Sequence, residues 1–96
     1  EDKPSCGRLI ADADRIPDGA VIRTRKEGDR FRPFGSGEKK LKEYFIDRKI
    51  PLRNRDKIPL LCYNDKVLAV FGDRISDDLR ITADTRNKIE LIFTED

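Results

Sequence analysis

The stretch IPLLCYNDKVLAVFG at residues 58–72 decides how this chain folds. Two almost wholly apolar runs flank Asn64-Asp65, a pair of residues that favours the tight turn of a β-hairpin. The runs therefore predict strands at 58–63 and 66–72. Because nearly every residue in them is apolar, we predict that this hairpin forms the core of a sheet.

Weaker patterns on both sides of the hairpin predict the remaining strands. AVIRTR at 20–25 alternates apolar and charged residues only imperfectly, which leaves the inward face of that strand undecided. Residues 75–85 are polar, and we expect a loop there from which Leu79 and Ile81 point inward. The predicted strands are GRLIA at 7–11, AVIRTR at 20–25 and KIELIF at 88–93.

One helix is predicted on the amino-terminal side of the hairpin. Ser36 suits an N-cap, and the proline that follows Ile50 requires the helix to end near Arg48. Leu41, Tyr44 and Phe45 recur at helical spacing, so they form one apolar stripe that is expected to face the core.

Two further segments are predicted to be loops. RFRPFG at 30–35 contains a proline and a glycine, and we expect an ordered loop whose Phe31 and Phe34 enter the core rather than stack on bases. PLRNRDK at 51–57 is expected to be an irregular basic loop. Tyr63, at the hairpin tip, is expected to be exposed.

These elements predict an α+β fold, with a small mixed or antiparallel sheet of about five or six strands and one principal helix. The chain has 96 residues, which suffice for one domain with a modest core. It begins at Glu1 and contains no Met, so we expect residues 1–96 to be a single domain excised from a longer protein.

Positive charge is concentrated in one part of the chain. The net charge is only +2, but residues 23–57 carry 13 Lys or Arg against 6 Asp or Glu, a local charge of +7, and the rest of the chain carries −5. A basic block with acidic flanks predicts one face that binds an anion. The cations come from a loop, a helix and a second loop, and this convergence favours phosphate contacts over a uniformly solvated surface.

The composition excludes several functional classes. The chain has no His and two Cys, which leaves no Ser-His-Asp or Cys-His catalytic set and no ligand set for zinc. GSGEKK at 35–40 is interpreted as a plain helix start rather than a nucleotide site, and Asp77-Asp78 as solvated surface. Cys62 lies in an apolar run and is expected to be a buried structural thiol. Neither a signal peptide nor an apolar run of membrane length is present, so a cytoplasmic location is expected.

Four motifs in register carry a resemblance to a known family. Together they resemble the C-terminal domain of bacterial tRNA(Ile)-lysidine synthase, over roughly residues 20–93. The family fold is similar to a domain of the phenylalanyl-tRNA synthetase β chain, which is an α+β unit with a small sheet. The motifs are GDRFRPFG at 28–35, KKLKEYFIDRKIP at 39–51, R-x-x-I-P-L-L at 55–61 and VFGDRIS at 70–76.

The resemblance implies a role in RNA binding rather than in chemistry. Enzymes of this family attach lysine to the wobble cytidine of an isoleucine tRNA with ATP. Their S-G-G-x-D-S loop is absent here. ATP, with Mg, is therefore expected in a catalytic domain outside this sequence, and no catalytic, cofactor or metal residue is assigned within it. The implied partners are tRNA(Ile), near its acceptor stem, the enzyme's own N-terminal catalytic domain and a second copy in a homodimer.

The resemblance and the charge pattern together assign nine candidate RNA-binding residues. Arg55 is expected either to grip a phosphate with its planar fork or to bridge a nearby acid, Asp47 or Asp56. Asn54 is a candidate for contact with base edges. The motifs assign Arg30, Arg32, Lys39, Lys40, Lys42 and Arg55, and charge alone adds Arg48, Lys49 and Arg53.

Two other functions remain open at this point. The chain could be a protein-interaction or dimerisation module that docks on a catalytic domain, with its apolar hairpin extending a partner's sheet. It could also belong to a lysidine synthase fused to a phosphoribosyltransferase. Phosphate binding weakens steeply with salt and apolar docking does not, which separates the RNA-binding hypothesis from the docking one.

Overall fold

The hairpin predicted from the apolar stretch lies at the centre of the larger of two sheets. In the computed structural model, which describes residues 6–94, its strands pair antiparallel across Asn64 and Asp65. Asn64 adopts a left-handed backbone with φ of 55°, a conformation that Asn tolerates better than most residues. The strands are β1 (Cys6–Asp12), β2 (Val21–Arg23), β3 (Arg30–Phe31), β4 (Lys39–Lys40), β5 (Leu60–Tyr63), β6 (Lys66–Val70), β7 (Arg74–Ile75) and β8 (Lys88–Thr94).

The larger sheet has six strands in the order β2-β5-β6-β3-β4, with β7 also paired to β6. Strand β3 runs parallel to β6, and the other pairs are antiparallel. Strands β1 and β8 form a separate antiparallel ribbon of seven residue pairs. The predicted α+β fold with a small mixed sheet is confirmed. The two-residue strands β3, β4 and β7 carry no sequence pattern of their own and were not predicted.

The helices are shorter and more numerous than the sequence indicated. Residues 51–57 were predicted to be irregular, but they contain a helix of one turn. Pro51, with φ of −57°, has the backbone geometry that precedes a helix, and its carbonyl accepts a hydrogen bond from the Asn54 amide at 2.9 Å. The helices are α1 (Leu41–Asp47) and α2 (Leu52–Arg55), with 3₁₀ turns at Ala13–Arg15 and Asp77–Leu79.

The predicted start of α1 at Ser36 is wrong. Residues 39 and 40 are extended because they pair with β3, and Lys40 occupies the N-cap position without a side-chain cap. The first helical amide, that of Leu41, instead donates to the Asp29 carbonyl at 2.9 Å. A loop carbonyl therefore takes the place of a capping side chain and satisfies an amide that would otherwise be left to solvent.

The predicted end of α1 near Arg48 is confirmed. Lys49 takes a left-handed φ of 58°, the Lys49 amide donates to Ile46, and the Ile50 amide donates to Phe45, both at 3.0 Å. This paired arrangement is the Schellman motif, which normally places Gly at the left-handed position. Ile50 packs against the core cluster that contains Phe45, so an apolar contact holds the turn closed.

The apolar hairpin separates two clusters of buried side chains. Successive residues of a strand point to opposite faces, so Leu60 and Cys62 enter one cluster and Leu61 the other. Both faces of the hairpin are thus covered, which explains its unbroken apolar runs. The helix-side cluster comprises Phe31, Leu41, Tyr44, Phe45, Leu60, Cys62, Val67 and Val70. The ribbon-side cluster comprises Ala11, Leu61, Leu68, Ala69, Phe71, Ile75, Leu79 and Leu91.

The predicted burial of aromatic residues holds for Phe31 and fails for Phe34. Phe31 is 1% exposed and its ring lies 4.7 Å from that of Tyr44. Phe34 is 43% exposed, because it lies in the turn after β3, where the Ser36 amide bonds to the Pro33 carbonyl and Pro33 is the buried residue. Tyr63 is exposed, as predicted.

The sequence left the inward face of the edge strand β2 undecided. In the structure both of its apolar residues are exposed, Val21 at 51% and Ile22 at 63%. Further along the chain, the predicted burial of Leu79 is confirmed at 0% exposure, and Ile81 is half-buried.

Truncating the apolar stripe of α1 should destabilise the fold. Leu41→Ala and Phe45→Ala are expected to lower the free energy of unfolding by about 2–5 kcal/mol each, because both leave a cavity in the helix-side cluster. Lys42→Ala, a matched control on the exposed side of the same helix, should cost less than about 0.5 kcal/mol. Urea denaturation measures all three, and equal midpoints would contradict this orientation of the helix.

Candidate nucleic-acid interface

A groove of about 700 Å³ lies where the loop after β2 meets the start of α1 and the short helix α2. We call it the basic groove. It unites three of the nine candidate residues with two cations that were not among them. Its charged lining consists of Arg25, Lys26, Lys40, Lys42 and Arg55, with Glu27, Asp29 and Asp56.

The loop that forms one wall is held by a buried ion pair. The side chain of Asp29 is 3% exposed, and its two oxygens accept hydrogen bonds from the Arg23 guanidinium at 2.8 and 3.0 Å. The Lys26 amide donates to the same carboxylate at 2.7 Å. The hydrogen bond that Arg23 donates to Asp29 is the main reason that the pKa of Arg23 is raised above its usual value.

The same ion pair connects the groove to the rest of the sheet. Arg23 also donates to the Asn64 carbonyl at 2.9 Å, at the tip of the central hairpin. The backbone of Asp29 accepts the first amide of α1, from Leu41. Two residues therefore join the edge strand, the groove loop, the helix start and the hairpin turn. We call this pair the Arg23–Asp29 clasp.

A second ion pair closes the groove on the α2 side. Arg25 Nε lies 2.7 Å from Asp56 Oδ1, so the loop after β2 is tied to the end of α2. Arg55 does not bridge either acid suggested from the sequence. Its Nε donates to the Ile50 carbonyl at 2.8 Å, while Asp56 pairs with Arg25 and Asp47 with Lys39. The Arg55 side chain is thus anchored at one nitrogen.

The balance of charge in the basic groove is positive. Two of its acids, Asp29 and Asp56, are compensated by arginines. Within residues 6–94, no ion pair engages the remaining acid, Glu27, or the four cations Lys26, Lys40, Lys42 and Arg55. The groove therefore offers several positive charges that can meet an anion without first giving up an internal partner.

The other six candidate residues do not line this groove. Lys49 and Arg53 are exposed outside it, and the remaining four form ion pairs with acids, some of which are distant in sequence. Exposed pairs of this kind contribute about 0–1 kcal/mol and exchange readily. The pairs are Arg30 with Glu38, Arg32 with Asp77 and Asp78, Lys39 with Asp47, and Arg48 with Asp73.

Arg48 belongs to a network that anchors α1. Asp73 accepts from Arg48 at 2.7 Å and from the Tyr44 hydroxyl at 2.6 Å. Burial, followed by the hydrogen bond to Asp73, raises the pKa of Tyr44 well above its usual range, so this hydroxyl stays protonated. The contacts of Arg48 thus attach the end of the helix to the turn after β6.

Arg25 and Lys26 were missed although they lie inside the basic block. No motif marked them, because the first of the four motifs begins at Gly28. Gly28 makes a turn, with φ of 92°, but the burial of Asp29 is what directs the loop to the groove. The signal available in the sequence was an acid, Asp29, placed directly after a glycine and among basic residues.

Other chemistry-bearing groups are few in the described part of the chain. Cys62 is fully buried, as predicted, and burial raises the pKa of its thiol to about 11. Between residues 6 and 94, no three His, Cys, Asp or Glu side chains are arranged to hold a metal ion. No helix in this range has the length and apolar character needed to cross a membrane.

Comparison with known proteins identifies the family. The family described as "TilS substrate C-terminal domain" matches residues 20–91. This chain belongs to that family. A solved structure described as the crystal structure of the TILS C-terminal domain is similar to this domain with a TM-score of 0.70 and 31% identity, covering 91% of this chain and 68% of that one.

The relatives found at the sequence level are named tRNA(Ile)-lysidine synthases and are much longer than this chain. The tRNA(Ile)-lysidine synthase of Caldanaerobacter subterraneus subsp. tengcongensis is 40% identical over 86 residues, which are 88% of this chain and 18% of that protein. The enzyme of Persephonella marina is 48% identical over 63 residues, which are 65% of this chain and 14% of that protein. The chain thus spans less than a fifth of the curated relatives it matches. The predicted family and fold are both confirmed.

Removing the charge of Asp29 should destabilise the domain. Asp29→Asn leaves Arg23, whose side chain is 16% exposed, without its counter-charge, and the free energy of unfolding should fall by about 3–5 kcal/mol. Asp47→Asn, which breaks an exposed pair with Lys39, should cost less than about 1 kcal/mol. Urea denaturation compares the two variants. An Asp29 variant no less stable than the Asp47 control would contradict the role of the clasp.

Proposed function

We propose that this chain is the tRNA-recognition domain of a tRNA(Ile)-lysidine synthase, and that the basic groove holds the phosphate backbone of the RNA. The observation that carries the proposal is the convergence of Lys26, Lys40, Lys42 and Arg55, from three segments, on one groove. The matching relatives are tRNA(Ile)-lysidine synthases. Neutralising phosphates with such cations is the main source of affinity in most nucleic-acid interfaces.

The four cations of the basic groove are of two kinds, and each kind is suited to a different part of phosphate binding. Lys26, Lys40 and Lys42 are exposed ammonium groups that attract phosphates as point charges. Arg55 is anchored through Nε to the Ile50 carbonyl, which restricts the orientation of its planar fork. Such a fork can contact two phosphate oxygens at once. We infer that the lysines contribute attraction and that Arg55 contributes orientation.

We further propose that the parent enzyme separates binding from chemistry. This domain would hold tRNA(Ile) near its acceptor stem, where a duplex is recognised mainly by its shape and backbone. The N-terminal catalytic domain, outside this sequence, would bind ATP with Mg and join lysine to the wobble cytidine. The contribution of this domain is positioning, since holding two reactants in register lowers the entropic cost of the reaction. We place the reaction in the cytoplasm, carried out by one chain or across a homodimer.

The competing hypothesis of a sheet-extending interaction module has less support. Strand β5 lies between β2 and β6, and β6 lies between β5 and β3. Neither strand of the apolar hairpin is therefore at a sheet edge, and a partner strand would have no unpaired backbone to bind there. The edges of the larger sheet, among the residues that the structure describes, are the short strands β2, β4 and β7.

Binding of tRNA by the 96-residue chain should depend strongly on salt. If about four to six phosphates are engaged, a plot of log affinity against log salt should have a slope of about −3 to −5. Lys40→Ala should reduce the magnitude of the slope by about 1. Lys88→Ala, an exposed lysine on β8 outside the groove, should leave it unchanged. Fluorescence anisotropy with a tRNA transcript measures each slope, and a flat response for the unaltered chain would overturn the proposal.

Arg55 should be sensitive to replacement by Lys. Both Arg55→Lys and Arg55→Ala lose the planar fork, so both should weaken tRNA binding by about 1–3 kcal/mol. Both also lose the bond to the Ile50 carbonyl, which should cost about 0.5–1.5 kcal/mol of stability. Binding and urea titrations on the same samples separate the effects. Affinity equal to wild type in the Ala variant would remove Arg55 from the interface.

A further inference from the structure

A second groove, of about 550 Å³, lies between β1, the turn after β3, and the segment that follows β7. We call it the aromatic groove, because it contains the exposed ring of Phe34. Its size falls in the range of small-molecule sites. The groove is lined by Leu9, Ile10, Phe34, Asp73, Arg74, Ile75, Arg80 and Ile81.

The ring of Phe34 presents a surface to solvent that the core does not use. It is 43% exposed, on a turn shaped by the buried Pro33 and by Gly35, whose φ is 72°. The Arg80 guanidinium lies 5.9 Å from the centre of the ring. An exposed aromatic ring beside a guanidinium is the combination that single-stranded RNA sites use to stack a base and attract its phosphate.

The floor of the aromatic groove carries an uncompensated positive charge. Within the described residues, Arg74 forms no ion pair, and its Nε is buried without a hydrogen-bond partner. The neighbouring acid, Asp73, already binds Tyr44 and Arg48. Arg74 is half-buried, and a partly desolvated charge without a partner is costly. Arg80 pairs with Asp77 only at 3.6 Å, from Nε to Oδ1, and its side chain is exposed, so an anionic group near the two arginines would be stabilised.

We propose that the aromatic groove binds an unpaired nucleotide of the RNA, with its base stacked on Phe34 and its phosphate near Arg74 and Arg80. This inference rests on the proposed function, because it assumes that the partner is RNA. It adds a site of different chemistry: the basic groove attracts a backbone through charge, whereas the aromatic groove recognises a base that is not held in a duplex. None of the nine residues assigned from the sequence lines it.

An apolar protein segment is a poorer fit for this groove. Such a segment would cover Leu9, Ile10 and Phe34, but it would also seal Arg74 from solvent without supplying a counter-charge. A nucleotide supplies both an aromatic face that can stack on Phe34 and a negative charge that can meet Arg74. The charge of Arg74 therefore favours the nucleotide.

The test uses the 96-residue chain and two RNA probes. One is a single strand of about 12 nucleotides, a length that single-strand sites commonly occupy, with a fluorescent adenine analogue (2-aminopurine) at its centre. The other is a blunt RNA duplex. Wild type should quench the analogue by stacking. Phe34→Leu should abolish the quenching and weaken single-strand binding by about 5- to 100-fold, with duplex affinity unchanged.

Lys40→Ala is the matched control, since it alters the basic groove alone. It should weaken the duplex while leaving the quenching intact at saturating protein. The inference is overturned if Phe34→Leu quenches and binds the single strand as wild type does, or if it weakens both probes equally, which would indicate a structural role. Self-association in sedimentation that Phe34→Leu abolishes would instead assign the groove to a protein partner. If the wild type binds the duplex but Phe34→Leu changes neither the quenching nor single-strand binding, this inference alone fails. If the wild type binds neither probe, the proposed function fails as well.

Discussion

The buried contact between Asp29 and Arg23 is the constraint on which the other features of this domain depend. A carboxylate at 3% exposure is stable there because it accepts two hydrogen bonds from one guanidinium and a third from the Lys26 amide. Through these bonds and the neighbouring backbone, the clasp joins the edge strand, the start of α1 and the tip of the central hairpin. The loop between the two residues has little freedom of its own, so the cations it carries are presented to the basic groove in a defined position. The buried Asp29 thereby organises the charge around it.

Folding, rather than composition, determines which cations of this domain have an ion-pair partner. The basic block between residues 23 and 57 carries 13 cations, but in the folded domain several of them form ion pairs with acids from later in the chain. Asp73 reaches Arg48, and Asp77 and Asp78 reach Arg32. Other cations are matched locally, as Lys39 is by Asp47. Among the described residues, seven cations of the block form no ion pair, and four of them, Lys26, Lys40, Lys42 and Arg55, converge on one groove. A count of charges along the sequence therefore predicts an anion-binding face, but it does not reveal which cations already have an internal ion-pair partner.

The two grooves suit different features of a folded RNA. The basic groove offers ammonium groups and one anchored guanidinium, which interact with a backbone whatever its sequence. The aromatic groove offers an exposed ring and an uncompensated arginine, which interact with a base only when that base is unstacked. A domain that combines them could distinguish a stem with an adjoining unpaired segment from a continuous duplex.

The sequence by itself determined the central hairpin, the apolar stripe of α1, its end near Arg48, the α+β class and the family. The structural features depend on residues a few positions apart, such as Leu60, Leu61 and Cys62, which alternate between two faces. The family depends on motifs that can be recognised in the sequence alone. Only the tertiary structure decided the rest. Strand β4 replaced a predicted Ser36 cap because Lys39 and Lys40 pair with β3, and Phe34 stayed exposed because Pro33 took the inward position. Which cations meet in the basic groove depended on ion pairs between segments far apart in the chain. Local patterns cannot encode such choices, because the free energy of pairing Asp73 with Arg48, or Asp56 with Arg25, exists only once the distant partner has arrived.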